Sequence, residues 1–131
     1  MKISLKAKGL TIDESYKICQ LTIQWCQKFF DEPHVKRRRP LVLATTICEG
    51  YDIYGWYCAI NHWMIINLSH STTIKLLIQT TIHEYIHSCQ NLKEYASLTR
   101  KLGYDNNPLE VEARENEKYY INCWRSIKQK L

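Results

Sequence analysis

Apolar residues return at three- and four-residue steps through Ile18, Leu21, Trp25 and Phe29, the period of a helix with one buried face. The stretch Thr11-Ile12-Asp13-Glu14 reads as a capping box at its start, so the pattern predicts a helix from Thr11 to about Phe30. Pro33 and Pro40 then bracket a basic connector. Three short runs rich in β-branched and aromatic residues follow, Leu41 to Cys48, Tyr54 to Ile60 and Trp63 to Leu68, broken at Glu49-Gly50 and Asn61-His62. They predict three strands. From Ile74 to Ile82 the chain is again apolar at helical spacing, with Ser71 or Thr72 available as the N-cap. After a turn at Gly103-Tyr104-Asp105-Asn106, Asn107 reads as the N-cap and Pro108 as the first position of a last helix. On that helix Glu110, Ala113, Glu117, Tyr120, Trp124, Ile127 and Leu131 form one stripe that ends in bulky residues. The sum is an α+β arrangement over residues 1–131, one small sheet covered by helices, with no repeat or interdomain linker.

Chemistry enters at His83-Glu84-Tyr85-Ile86-His87, which continues the apolar run that begins at Ile74. Residues four apart on a helix lie one turn above each other, so His83 and His87 can offer both imidazoles to one ion. Glu84, one step around the helix, can serve as general base toward a water held by that ion without being a ligand itself. This set of roles points to a zinc-dependent hydrolase with one Zn2+. A third protein ligand is required, and the last helix offers two. Glu110 lies on the inward stripe; Glu112 lies with Asn116, Tyr119 and Cys123 on a less apolar one. Helix-dipole complementarity also accounts for acids at 110, 112, 115 and 117 against Lys118, Arg125, Lys128 and Lys130, but not for a carboxylate facing inward.

H-E-x-x-H on one helix followed by N-P-x-E-x-x-A on the next resembles the gluzincin metallopeptidases in their minimal, one-domain form. The resemblance implies a zincin-like fold: an N-terminal helix, a sheet of three or more strands, an active-site helix and a C-terminal helix carrying the glutamate. It implies His83, His87 and Glu110 as zinc ligands and Glu84 as catalytic base in the hydrolysis of a peptide or protein substrate. It also implies an edge strand that binds substrate in extended form, which points to Gly55, Trp56 and Tyr57. Many gluzincins carry Asp directly after the Ala, where it supports a histidine ligand; here Arg114 stands there. An alternative alignment selects Glu112 as ligand with Asn116 as its supporting residue. For the oxyanion formed on the peptide carbonyl, Tyr95, Tyr104 and Tyr119 are all available donors.

Composition narrows the setting. At 131 residues, 45% hydrophobic, the chain is long enough for one core, and no apolar stretch approaches the length of a membrane span. The start, Met1 to Gly9, lacks a hydrophobic signal core, so a cytoplasmic location without membrane contact is expected. The six cysteines form no C-x-x-C pair and read as small buried hydrophobes in a reducing compartment. His34, His62 and His70 show no ligand spacing to one another and read as surface or loop residues. Net charge is +5, and Lys36-Arg37-Arg38-Arg39 could attract nucleic acid, although no RNA or DNA module accompanies it. The competing function is therefore a non-catalytic domain on a zincin scaffold that contacts nucleic acid or a partner protein through residues 36–39. The oligomeric state is left open.

Overall fold

A computed structural model describes residues 5, 7–30, 41–45 and 53–131, with 41–45 as backbone only. The basic connector with Lys36 to Arg39, His34, the second half of the first strand run and Cys48 lie outside the described residues. Helix α1 spans Ile12–Phe29 and opens on the expected capping box. The Glu14 amide donates to Thr11 Oγ1 at 3.1 Å, and the Thr11 amide donates to Glu14 Oε1 at 2.9 Å. Its buried face is rotated from the predicted stripe and built of smaller side chains, running through Ser15, Ile18, Cys19, Thr22, Ile23 and Cys26. Leu21 and Trp25 are half-buried and Phe29 is exposed. Thr22 hides its hydroxyl within this face by donating to the Ile18 carbonyl at 2.8 Å. The displaced aromatics collect outside, with Trp25 stacked on Phe29 and both Phe29 and Phe30 against Tyr119.

Strands β1 (Leu41–Thr45), β2 (Gly55–Cys58) and β3 (Trp63–Asn67) form one sheet in the order β1-β3-β2. β3 is central, parallel to β1 and antiparallel to β2, which leaves β2 with β3 as its one partner strand among the described residues. Met64 and Ile66 of β3 point into the core. Across this face lies α2 (Ile74–Cys89), buried on nearly every side through Ile74, Leu77, Ile78, Ile82, Tyr85 and Ile86. Its N-cap is Thr73, whose Oγ1 accepts from the Leu76 amide at 3.2 Å, rather than Ser71 or Thr72. Ser71 is instead occupied by Thr80, hydroxyl to hydroxyl at 3.2 Å.

Beyond α2 the chain departs from expectation twice. An additional helix, α3 (Tyr95–Leu102), precedes the predicted turn, with no residue fully buried. It ends where Gly103 adopts φ +84, a conformation that suits glycine. The last helix is not continuous: α4 (Pro108–Asn116) and α5 (Tyr120–Ile127) are joined by one tight turn at Glu117–Tyr119. Asn107 caps α4 as expected, accepting from the Leu109 amide at 3.0 Å, and Pro108 occupies the first turn. Glu110, Ala113, Trp124 and Ile127 of the predicted stripe are buried, whereas Tyr120 is half-buried and Cys123 takes a core place. No disulfide joins the described cysteines, and burial pushes the Cys19 thiol up to about 11 and the Cys123 thiol up to about 12. No helix among the described residues is long and apolar enough to cross a membrane.

Candidate metal centre

Helix α4 runs antiparallel to α2, which brings Glu110 to the face that carries the two histidines. His83 Nε2 lies 3.0 Å from Glu110 Oε1, and His87 Nε2 lies 3.0 Å from Glu110 Oε2. Glu110 is 2% exposed and His87 is 7% exposed. The three ligand atoms fall within 4.8 Å of one another, and among the described residues this is the one group of His, Cys, Asp and Glu side chains that can hold a metal ion. Glu112 is not part of it; its Oε1 accepts instead from Gln90 Nε2 at 2.7 Å. Asn116 donates to the Glu112 carbonyl at 2.8 Å, away from both imidazoles. Arg114 turns outward, donating to the Asp105 carbonyl and standing 3.5 Å from the Asp105 carboxylate, rather than pairing with Glu110 or Glu117.

The outer nitrogens of both imidazoles are engaged. His83 Nδ1 donates to Glu117 Oε2 at 2.7 Å, and His87 Nδ1 to Gln90 Oε1 at 2.7 Å. The Gln90 amide is oriented by its own donation to the Leu109 carbonyl at 2.9 Å and to Glu112, so its oxygen faces His87. With each Nδ1 a donor, each Nε2 is directed at Glu110. Burial opposes a charged His83, but hydrogen bonds to Glu110 and Glu117 outweigh it and push its pKa up to about 10. His87 is raised for the same reasons, chiefly by Glu110 against burial. Burial likewise opposes the Glu110 carboxylate, yet hydrogen bonds from His83, His87 and Tyr95 hold it well below the usual carboxylate range. Both Nε2 atoms thus face the space that a divalent cation would occupy beside Glu110, where it would compete with protons for the two nitrogens.

Glu84 stands beside this group without joining it. It is 5% exposed, and burial pushes its carboxyl up to about 7 although His83 and His87 pull the other way. It lines two cavities, of about 510 and about 540 Å3, that share Ile53, Gly55, His83, Glu84 and Tyr104. The first extends past Leu76 and Gln79 toward Arg114; the second extends past Trp56, Tyr57 and Tyr95 toward Leu92 and Lys93. Together they make one cleft along β2 and α2 with the histidines at its middle. Gly55 permits this closeness: a Cβ there would stand 2.7 Å from the Ile65 carbonyl oxygen and 3.1 Å from Thr80 Cγ2.

Trp56 and Tyr57 line the second cavity beside Gly55. Tyr57 reaches His62, hydroxyl to Nδ1 at 2.6 Å. His62 lies in a turn, as expected, but is buried there, 1% exposed at φ +57. His70 packs edge-on against Tyr54 and is half-buried rather than free at the surface. Of the three tyrosines considered, Tyr119 belongs to the aromatic group with Phe29 and Phe30. Tyr95 donates its hydroxyl to Glu110 Oε2, and burial followed by the Glu110 carboxylate raises its pKa. Tyr104 lines both cavities, and burial with the nearby Glu110 charge pushes it up to about 12. Gln90 and Glu117 were not anticipated as parts of this centre, and Tyr95, expected as an available oxyanion donor, is instead hydrogen-bonded to Glu110. Spacing held the clue for the first two: Gln90 is three residues after His87, and Glu117 is seven after Glu110 on the same helix face.

No protein-family model, characterised protein or solved structure matches this chain.

Proposed function

We propose that the chain is a zinc-dependent peptidase with a zincin-like fold. The observation that carries this reading is the convergence of two imidazoles and the Glu110 carboxylate beside a buried Glu84 that lines both cavities. The donor set of two histidines and one carboxylate suits zinc with one coordination position left for water. Bonds of about 2.0–2.1 Å at tetrahedral angles put ligand atoms roughly 3.3 Å apart; here each Nε2 stands 3.0 Å from its own Glu110 oxygen, and one ligand atom from each of the three residues falls within 4.8 Å of the others.

Zinc, when bound, supplies a Lewis acid that polarises a carbonyl and lowers the pKa of water toward neutrality. Glu84 takes the proton from the attacking water and delivers it to the leaving amine, so one carboxyl serves as base and then as acid. Tyr104, the tyrosine that borders both halves of the cleft, donates its hydroxyl to the oxygen on which negative charge develops. The edge of β2 takes up an extended peptide through its backbone, with Gly55 at the level of Glu84 and with Trp56 and Tyr57 shaping subsites. The deciding experiment is Glu84→Gln. Zinc content and melting temperature should match the wild type while cleavage of a fluorogenic peptide library disappears. Retained turnover removes Glu84 as base, and a wild type that binds zinc but cleaves nothing leaves a non-catalytic scaffold.

A further inference from the structure

We infer that Glu117, and Gln90 backed by Glu112, are the positioning residues of this centre. This rests on the metal-site reading above and adds which residues aim the ligands. A histidine that binds metal through one nitrogen needs its other N–H held, because that bond fixes the ring's tautomer and orientation and raises the basicity of the ligating nitrogen. Where gluzincins carry an acid directly after the Ala, this chain has Arg114, whose guanidinium is spent on Asp105. The task falls to residues further along the same surfaces. Seven residues advance an α-helix by about two turns and return to nearly the same face. Glu117, at the tight turn that ends α4, thus reaches His83 from the side opposite Glu110, at 2.7 Å.

His87 is held differently. Gln90, at the C-cap of α2, accepts from its Nδ1 and passes the load to α4 through the Leu109 carbonyl and Glu112. Glu112 therefore contributes to the centre through Gln90 rather than as a ligand. One imidazole is backed by a charged acceptor and the other by a neutral amide, so the two ligands are unequal: His83 is the stronger electron donor. The resulting pattern, H-E-x-x-H-x-x-Q on α2 with E-x-E-x-x-x-x-E on α4, is a more complete description of this centre than its ligands alone.

The test uses the full chain with zinc and a competing chelator, together with NMR of the histidine ring N–H groups. Glu117→Ala should weaken zinc binding about tenfold to hundredfold and abolish the protected Nδ1–H signal of His83. Glu117→Gln, whose amide oxygen still accepts, should keep that signal and lose less affinity. Gln90→Ala should do to His87 what Glu117→Ala does to His83. Glu112→Ala should weaken zinc binding in the wild-type background but not in Gln90→Ala, because Glu112 acts only through Gln90. Zinc binding within twofold of wild type in Glu117→Ala, or an undiminished Glu112→Ala effect without Gln90, overturns the proposal and leaves the zinc site standing. A wild-type chain that takes up no zinc overturns the hydrolase reading, and this proposal with it.

Discussion

Tyr95 donates its hydroxyl to Glu110 Oε2, the same oxygen that faces His87 Nε2 at 3.0 Å. One carboxylate thus holds two imidazoles and a phenol, and the phenol comes from α3, a helix with no fully buried residue. Tyr95→Phe should keep the fold and cost about 1.5 kcal/mol of metal affinity, roughly tenfold, since hydrogen bonds to charged groups fall in that range. Chelator competition reads the change; an affinity equal to wild type would assign Tyr95 to packing alone.

Glu110→Ala removes the shared partner of both histidines. Zinc uptake should vanish, and the metal-free protein should lose about 3 kcal/mol, because two buried imidazoles are stripped of their counter-charge. Equilibrium unfolding in urea with elemental analysis measures both. Full zinc content in this variant would place the third ligand elsewhere.

The metal-free chain should be most stable in mildly acidic solution. His83, raised from 6.5 to about 10, contributes stability that is complete below 6.5 and lost as pH rises through about 10. Glu84, raised from 4.5 to about 7, favours the folded state in its neutral form and so also weakens folding as pH climbs from 4.5 through about 7. Glu110 acts in the opposite sense: its lowered pKa gives stability that is present above 4.5 and lost as pH falls below it. Glu84 and Glu110 oppose each other around 4.5 while the His83 contribution is still complete, so the maximum lies near pH 4.5. Saturating zinc, which binds neutral imidazoles, should move it upward. Thermal melts from pH 4 to 10 with and without zinc test this, and identical profiles would count against the proton-for-metal exchange.

Gly55→Ala should lower stability by about 1–3 kcal/mol and reduce turnover, because the new methyl meets the Ile65 carbonyl and Thr80 and pushes β2 away from α2. Gly103→Ala is the control: its φ of +84 makes Ala strained, but nothing lies within 4 Å, so stability falls without effect on the cleft. Equal effects of the two on peptide turnover would separate β2 from substrate binding.

Much of this arrangement could be read from local signals. Thr11 with Glu14, and Asn107 with Pro108, are caps whose partners lie within three residues, so sequence alone contains the whole interaction. The i, i+4 histidines and the inward register of Glu110 follow from helical period in the same way. Failures trace to choices made between distant segments. Trp25 and Phe29 look like core residues by size, yet the face of α1 that turns inward carries Cys19, Thr22 and Cys26 instead. His62 carries no sign of burial except a partner, Tyr57, across a hairpin turn. Helix α3 is eight residues long, too short for its apolar spacing at Tyr95, Leu98 and Leu102 to stand out, so the sequence presents Tyr95 as an oxyanion donor and not as a partner of Glu110. Glu117 was visible on the inward stripe, but only the pairing of α4 with α2 reveals that it faces His83.

The antiparallel pairing of α2 with α4 has a further consequence. His83 and Glu110 are 27 residues apart in the chain, so an ion shared by them ties off a closed ring that contains all of exposed α3. Such a clasp restricts the unfolded chain as a crosslink does, yet it can be opened by acid or a chelator. A protease nick inside α3 would leave the two pieces fastened together while the ion stays in place. Integrity of the ring would then depend on the metal supply around the protein as much as on the peptide bonds that form it.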